Sequence, residues 1–416
     1  MAVLGVLALS GQGALAGTVT WTSASSGDWS TDASWGGAQP ISGDLARIGK
    51  AVTVTVSQAG EITGTLQVGY DAAVNNSILK IVSGGVLTLD ASSYPTARIG
   101  ASTSTGHKLL MEGGTLNVVG DGTGSLTLSY TNGGSAAIEQ SGGTINTGRL
   151  RMIYSSTYTM SDGVLNVTDT TNDSIIGQSG GTSTFTQSGG TASFTGLRLA
   201  YITAGATGTY NLNNGTLTVN GLLSIRSTNG TGILNMSGGT LNVNTLDGTA
   251  AYQGAFNWSG GTLNITSVGR SITNGGGNLS PGGEAAIGTT TFTGDGSYSQ
   301  NASSTMTFNL LNTGSYDKLI VGGAGVGDAT LAGTLKISLL AGYSLANGDT
   351  FDVVTADSIT DSTTISYAGP GNFTKSIISG GSGQILQLTY IPEPATMALL
   401  TGGLPALLWR FRRNRK

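Results

Sequence analysis

A short glycine-anchored unit recurs nine times along the chain and constrains the fold more than any other feature. Its most regular copies read GGTLNV at Gly113–Val118 and Gly238–Val243, and GGTLNI at Gly260–Ile265. The glycine that precedes Thr or Val falls at positions 64, 85, 114, 143, 163, 190, 215, 239 and 261, at intervals of 20 to 29 residues. A repeat of this length is typical of a solenoid in which each repeat forms one coil.

Each repeat also contains the pattern of short strands. Residues 221–244 carry three alternating apolar pairs, which are Leu223 with Ile225, Ile233 with Met236, and Leu241 with Val243. Period-two alternation predicts strands with one buried face, and the glycine-rich breaks between them supply turns with positive φ. Stacking such coils about 4.8 Å apart would bury a continuous core. We therefore predict an all-β, right-handed parallel β-helix (β-solenoid) of about nine coils, with β caps at both ends.

Composition agrees with this fold and excludes several functions. The chain has 69 glycines, 10% charged residues and no cysteine, so disulfides, thiolate metal sites and cysteine nucleophiles are excluded. Five of its 18 basic residues lie among the last seven positions, which leaves an acidic, charge-poor body. Because nucleic-acid binding needs a basic surface, we expect no nucleic-acid partner.

The N-terminal residues predict export. An apolar run at Val3–Leu9 is followed by Ala14-Leu15-Ala16, a small-residue cleavage site, so residues 1–16 are predicted to be a signal peptide and Gly17 the mature start. The usual basic residues before the apolar run are missing, so the true start codon lies upstream or the signal is atypical. A buried N-terminal strand is the alternative.

The rest of the chain divides into regions that differ in composition and sequence pattern. Residues 17–60 contain Trp21, Trp29 and Trp35 and are predicted to cap the first coil. Residues 61–277 carry the repeats, and residues 278–390 are predicted to be further β-structure that closes the stack.

The C-terminal ending combines three elements in a fixed order. Pro392-Glu393-Pro394 is followed by an apolar segment at Ala395–Trp409 and then by the basic cluster Arg410, Arg412, Arg413, Arg415 and Lys416. Residues 391–416 thus resemble the PEP-CTERM sorting signal of exported Gram-negative proteins. They depart from its commonest pattern in the short apolar run and in Pro405, which interrupts that run.

That resemblance implies a destination and a partner. Members of that family are recognised at the Pro-Glu-Pro tripeptide by an exosortase-type membrane protease or transpeptidase and are delivered to the cell surface or exopolysaccharide matrix. Residues 395–411 have the minimum length of a transmembrane helix, and the basic cluster after them would act as a membrane stop on the cytoplasmic side. We therefore expect transient anchoring in the inner membrane before release to the exterior.

The body resembles the β-strand repeat proteins associated with autotransporter passenger regions. The segment NLSPGGEAAIGTTTFTGDGSYSQNASSTMTFNLLNTGSYDKLIVGG, residues 278–323, is similar to the closing segment of that group. Such repeats specify a fold better than an activity.

The repeats align a set of polar residues at one outward strand position, namely Asn117, Asn146, Asn166, Asn242 and Asn264. Two interpretations remain open. The amides bind polysaccharide, such as exopolysaccharide, through many weak hydrogen bonds, or they stabilise the stacking of coils. Tyr201, Tyr210, Tyr252 and Trp258 are similarly candidates for stacking on sugar rings or for core packing.

Residues for catalysis are sparse. The glutamates are Glu61, Glu112, Glu139, Glu284 and Glu393, and His107 is the sole histidine. We expect no enzyme activity, no cofactor and no metal. A β-helix polysaccharide lyase or hydrolase stays open as an alternative, because carboxylates on different coils could meet in space. The stretch Gly322–Asp328 is a near miss to a calcium-binding repeat. The expected function is therefore that of an exported structural or adhesive surface protein.

Overall fold

The protein is an all-β chain arranged as a parallel β-solenoid, as the repeats predict. The computed structural model describes residues 16–91, 96–119, 124–200, 204–225, 229–247, 254–322, 327–340, 342–381 and 383–393. The chain forms two compact units, residues 1–270 and residues 271–416. Within the described ranges, the one helical element is the 3-10 turn Asp32–Trp35.

Three parallel ladders form the first unit, and from the second coil onward the chain visits them in the order A, B, C. Ladder A contains Thr18–Thr20, Leu45–Ile48, Thr65–Val68, Ala97–Ile99, Ser125–Leu128, Arg149–Met152, Ser174–Ile176 and Leu197–Leu199. Ladder B contains Gly27–Asp28, Thr53–Val56, Ile78–Ile81, His107–Met111, Gly181–Gln187, Ala206–Leu212, Thr231–Met236 and Ala255–Trp258. Ladder C contains Glu61–Thr63, Val86–Leu89, Thr115–Val118 and Thr191–Phe194.

Five longer strands run through a corner and contribute to two ladders. Ser135–Thr147 and Ser155–Val167 pass from ladder B to ladder C. Thr216–Ile225, Thr240–Leu246 and Thr262–Val268 pass from ladder C to ladder A.

Alternation along the strands creates the core. In Thr115–Val118, Leu116 and Val118 are buried, whereas Thr115 and Asn117 are half-buried on the outer side. Parallel register places Leu116 between Leu87 of the preceding coil and Ile145 of the next. Apolar side chains therefore stack on their equivalents from coil to coil, and each coil covers the interior of its neighbour.

The turn from ladder B to ladder C requires glycine. Gly143 has φ +68°, and a Cβ atom there would lie 2.3 Å from the carbonyl oxygen of Gly113 in the preceding coil. The amide of the following Thr144 donates to the carbonyl of Gly114 at 2.9 Å. The turns are thus stacked backbone to backbone, which explains why this part of the repeat is the most regular.

Aromatic and amide side chains fill the interior of ladder B. The rings of Tyr158, Phe185 and Tyr210 stack in successive coils, with centroid distances of 4.3 Å and 4.6 Å. The hydroxyl of Tyr158 donates to Gln140 at 2.5 Å, and that of Tyr210 donates to Gln187 at 2.6 Å. Both glutamines lie directly before an SGG turn, so the buried amides tie the aromatic stack to the corner.

The three N-terminal tryptophans pack together beside the first strands of ladders A and B. Trp21, Trp29 and Trp35 are buried, and Trp35 lies edge-on to the other two at centroid distances of 5.1 Å and 4.8 Å. The indole nitrogen of Trp35 donates to the carbonyl of Trp29 at 2.7 Å.

The second unit also contains three parallel ladders. The first contains Thr289–Phe292, Lys318–Val321 and Thr350–Ala356. The second contains Ile272–Asn274, Tyr298–Gln300, Asp328–Leu331 and Ser358–Asp361. The third contains Asn278–Leu279, Thr305–Asn312, Thr334–Leu339 and Thr364–Tyr367. Ser315–Tyr316 pairs antiparallel with Thr305–Asn312. Gly383–Ile391 pairs antiparallel with both Thr350–Ala356 and Asn372–Gly380.

The predicted number of about nine coils is wrong, because the two units together contain about 12 turns. Parallel backbone register defines a coil, and several coils lack the glycine-threonine motif used to count them. At one such corner, the Asn274 side chain accepts from the amide of Gly277 at 2.7 Å and donates to its carbonyl at 3.1 Å. An asparagine side chain thus organises a turn that the repeat pattern does not mark.

Candidate functional surface

The five predicted asparagines lie in one polar row on the outside of ladder C. The row consists of residues that are Cα partners in successive coils, namely Thr88, Asn117, Asn146, Asn166, Ser193, Thr218, Asn242 and Asn264. The amide of Asn146 donates to Asn117 at 2.9 Å, and the amide of Asn166 donates to Asn146 at 2.9 Å. Asn264 donates to Asn242 at 3.3 Å. Adjacent amides are therefore bonded to each other along the stacking direction.

This ladder C row retains binding capacity. A carboxamide has two N–H donors and an oxygen with two lone pairs. One donor of Asn166 is bonded to Asn146, and the side chain is half-buried rather than covered. A depression of about 210 Å³ lies at the Asn264 end of the row. Its lining includes Thr218, Asn220, Asn242, Asn244, Asn264 and Thr266. Its polar lining suits a hydroxyl-rich ligand.

Ladder B carries a second asparagine row that the sequence interpretation missed. Thr186, Asn211, Asn235 and Asn257 are Cα partners in successive coils. Asn235 donates to Asn211 at 2.8 Å, and Asn257 donates to Asn235 at 2.8 Å. A signal was available, because each of these asparagines lies four residues before the positive-φ glycine of its turn, at Gly215, Gly239 and Gly261.

Two glutamates come together on the outside of ladder B. Glu112 and Glu139 line a depression of about 450 Å³ together with Leu110, Gln140, Ser141, Thr159 and Ser161. Glu112 pairs with Lys80 at 2.7 Å and Glu139 pairs with Lys108 at 2.7 Å. Each lysine lies one coil before its glutamate, so the carboxylates form part of exposed ion pairs between coils. Of the other glutamates, Glu61 is buried in ladder C and Glu284 is exposed in the second unit.

His107 is fully buried and lies beside a serine, an arrangement that superficially suggests a nucleophile and base. Its Nε2 is 2.8 Å from Ser104 Oγ, and its Nδ1 accepts from the backbone amide of Ser77 at 3.3 Å. Because Nδ1 accepts, the proton of the neutral ring lies on Nε2, which donates to Ser104. Burial lowers the pKa of His107 and favours this neutral form. A general base would have to accept from the serine, so this geometry supports a packing role.

The aromatic candidates for sugar stacking are not on the surface where the structure describes them. Tyr210 and Trp258 are buried, with 0% and 3% exposure. Stacking on a sugar is therefore wrong for these two residues. Tyr201 and Tyr252 lie outside the described residues.

Asp317, in the second unit, is a buried carboxylate that the sequence interpretation did not single out. It accepts from the amide of Gly288 at 2.7 Å, and from the backbone and side-chain nitrogens of Asn309 at 2.8 Å and 2.9 Å. Burial raises the pKa of Asp317 to about 7, although these three donors oppose the shift. Its role is to hold the loop before Thr289–Phe292 against Thr305–Asn312.

The structure describes the predicted sorting signal only in part. Pro392 and Glu393 are exposed and follow the last strand, Gly383–Ile391. Pro394, the apolar segment and the predicted membrane-stop residues Arg410, Arg412, Arg413, Arg415 and Lys416 lie outside the described residues. Within the described ranges, no helix has the length and apolar character needed to cross a membrane.

No cluster of three His, Asp or Glu side chains suited to a metal ion occurs within the described ranges. Of the calcium-like stretch, Gly322, Gly327 and Asp328 are described, and Asp328 accepts from the hydroxyl of Ser358 at 2.5 Å. Its residues 323–326 lie outside the described residues.

Comparison with known proteins does not identify a family. No protein-family model matches the chain, and no curated protein is significantly similar to it.

Proposed function

We propose that the protein is an exported structural or adhesive β-solenoid of the cell surface or extracellular matrix of a Gram-negative bacterium, without enzymatic activity. The observation that carries this proposal is the continuous stacking of coils, with asparagine side chains bonded from coil to coil on the outside. Such repetition produces a long polar surface rather than one enclosed site. This suits a protein that makes many weak contacts with a matrix.

Delivery follows from the two ends of the sequence. The apolar run and small-residue site before Gly17 support export, and the Pro392-Glu393-Pro394 ending supports sorting by an exosortase-type membrane protein. In this proposal the segment after the tripeptide anchors the chain in the inner membrane until the tail is processed.

The sorting proposal is tested by replacing Pro392, Glu393 and Pro394 with alanine in the native host. We expect the variant to keep its unprocessed mass and to stay in the inner membrane. A matched control replaces Pro281 and Glu284, a proline and an exposed glutamate outside the tail, and should be sorted normally. Unchanged size and location in the tail variant would show that the tripeptide is not a sorting signal.

A second candidate function is polysaccharide binding at the ladder C row. The polar depression beside Asn242 and Asn264 favours it, because its amides and hydroxyls match the hydroxyl groups of a glycan. On an array of matrix polysaccharides, replacing these two residues with alanine should weaken binding, whereas replacing Asn117 and Asn146 should have a smaller effect. Absence of binding by the natural chain would exclude this candidate.

Absence of enzymatic activity is tested at the two glutamates that line the depression on ladder B. We expect no turnover of uronate-containing polymers by the natural chain. Turnover that disappears in both Glu112→Gln and Glu139→Gln would instead support the lyase or hydrolase alternative.

A further inference from the structure

Asp44 is a buried carboxylate at the start of the first unit, directly before the strand Leu45–Ile48. Its side chain is only 7% exposed. Oδ1 accepts from the backbone nitrogen of Gly17 at 2.7 Å, and Oδ2 accepts from the backbone nitrogen of Ile41 at 3.1 Å. No ion pair found within the described ranges includes Asp44. Burial of a carboxylate without a cation is unfavourable, so this position lacks a positive charge that its environment favours.

The nitrogen that faces Asp44 is held firmly in place. The carbonyl of Gly17 accepts from the amide of Leu45 at 2.8 Å, and the following strand Thr18–Thr20 pairs in parallel with Leu45–Ile48. On the other side, the carbonyl of Asp44 accepts from the amide of Thr65 at 2.8 Å, in the next coil. The contact between Gly17 and Asp44 therefore joins the first strand of ladder A to the coils behind it.

We propose that Asp44 is the receptor for the α-ammonium group that removal of residues 1–16 creates at Gly17. The inference rests on the proposed export of the chain. The step is hydrolysis by an endopeptidase that cleaves after a small residue. Water adds to the carbonyl carbon of Ala16, the bond to the Gly17 nitrogen breaks, Ala16 becomes a carboxylate, and the released amine takes up the proton.

In this proposal, cleavage changes the chemistry of the contact, while the backbone bond from Leu45 to the carbonyl of Gly17 keeps the nitrogen beside Asp44. Before it, the Gly17 nitrogen is a neutral amide with one hydrogen. Afterwards it is a cation with three donors, formed at the nitrogen that lies 2.7 Å from Asp44 Oδ1 in the intact chain. The uncleaved contact is already a hydrogen bond to a charged carboxylate, and cleavage adds the Coulomb attraction between two opposite charges. Processing would thus supply the missing cation and strengthen the attachment of the first strand.

The test compares residues 17–416 with a free Gly17 amine and the same chain acetylated at that amine. Thermal unfolding is followed by tryptophan fluorescence, since Trp21, Trp29 and Trp35 are buried near the first strands. We expect the free amine to raise Tm by about 2 °C. In Asp44→Asn the two forms should unfold at the same temperature.

Asp90→Asn is the matched control. Asp90 accepts from the hydroxyl of Ser42 at 2.5 Å and from the amide of Gly43 at 3.3 Å, in the turn that precedes Asp44. We expect its replacement to leave the difference between free and acetylated chains intact. Equal Tm values for the two forms of the natural chain would overturn the proposal, and this comparison holds even when Asp44→Asn fails to fold.

Failure of the export proposal can be distinguished from failure of the proposal on Asp44. The mass of the chain recovered from outside the cell reports the cleavage position directly. A start at Gly17 supports both proposals. A different start contradicts the cleavage site, and the Tm comparison then decides alone whether Asp44 binds the amine.

Discussion

At the scale of the residue, buried polar groups of this protein are held mainly by backbone groups and amides. Gln140 donates to the carbonyls of Gly143 at 3.2 Å and Val164 at 3.1 Å. Asp317 accepts from three N–H groups and lies in no ion pair found within the described ranges. Because turns and neighbouring coils supply these partners, the burial of such residues depends on register more than on local sequence.

The carboxylate of Asp317 gives a prediction on pH. Burial raises its folded-state pKa to about 7, whereas the pKa of an aspartate in the unfolded chain is about 4. The folded chain therefore holds more protons between these values, so this stabilisation is full below about pH 4 and is lost as pH rises through 7. We expect the second unit to be less stable at pH 8 than at pH 5 by about 2–3 kcal/mol from this group.

Hydrogen exchange at the amides of Thr305–Asn312 and Thr334–Leu339 measures this stability within the second unit. Asp317→Asn should flatten the pH dependence, and the exposed control Asp295→Asn should retain it. An identical pH dependence in Asp317→Asn and the natural chain would show that Asp317 does not titrate in this range.

At the scale of the element, the corners are the least tolerant part of a coil. Gly143 has φ +68° and no space for a side chain, because a Cβ would lie 2.3 Å from a backbone oxygen. Gly133 has φ +90°, but a Cβ there would meet nothing within 4 Å. The two glycines separate the cost of backbone conformation from the cost of close packing.

We therefore predict that Gly143→Ala destabilises the first unit by about 2–4 kcal/mol, through the left-handed conformation and the contact with the preceding coil. Gly133→Ala, which bears only the conformational cost, should destabilise it by about 1 kcal/mol. Chemical denaturation gives both values. Equal destabilisation by the two substitutions would contradict the stacked-corner description.

The asparagine row of ladder C gives a second prediction for an element. Asn146 donates to Asn117 and accepts from Asn166, and Asn146→Ala removes both bonds. We expect a loss of about 1 kcal/mol in the free energy of unfolding, because the row is half-buried and water replaces part of the bonding. Ser193→Ala in the same row, where no side-chain hydrogen bond is found in the described part, should change stability little. Equal effects of the two substitutions would mean that the amide row does not stabilise stacking.

At the scale of the whole molecule, the sequence predicts the fold class well and the number of coils poorly. Strand alternation and the glycine corners predict the parallel stack, because both arise from local geometry that recurs in each coil. The outward asparagines of ladder C were found because a motif aligned them. Coils without that motif were missed, since the chain also closes a corner with side chains such as Asn274.

Features that depend on neighbours in space were the hardest to predict. Tyr210 was a candidate for the surface, but its ring stacks on Phe185 one coil earlier. The burial of Asp317 follows from loops that the sequence does not place. Glu112 and Glu139 are a further example. These carboxylates of different coils meet on one surface, although nothing in their local sequence pairs them.

The most direct test of the stacked solenoid is a set of distances between spin labels. The chain has no cysteine, so label pairs can be introduced cleanly on one outward row of ladder C. Thr144 and Thr240 lie four coils apart, Thr115 and Thr240 five, and Thr115 and Thr262 six. We predict narrow backbone distances of about 19, 24 and 29 Å, a constant step of about 4.8 Å for each coil. Broad distributions, or distances that do not increase by a constant step per coil, would contradict the parallel solenoid.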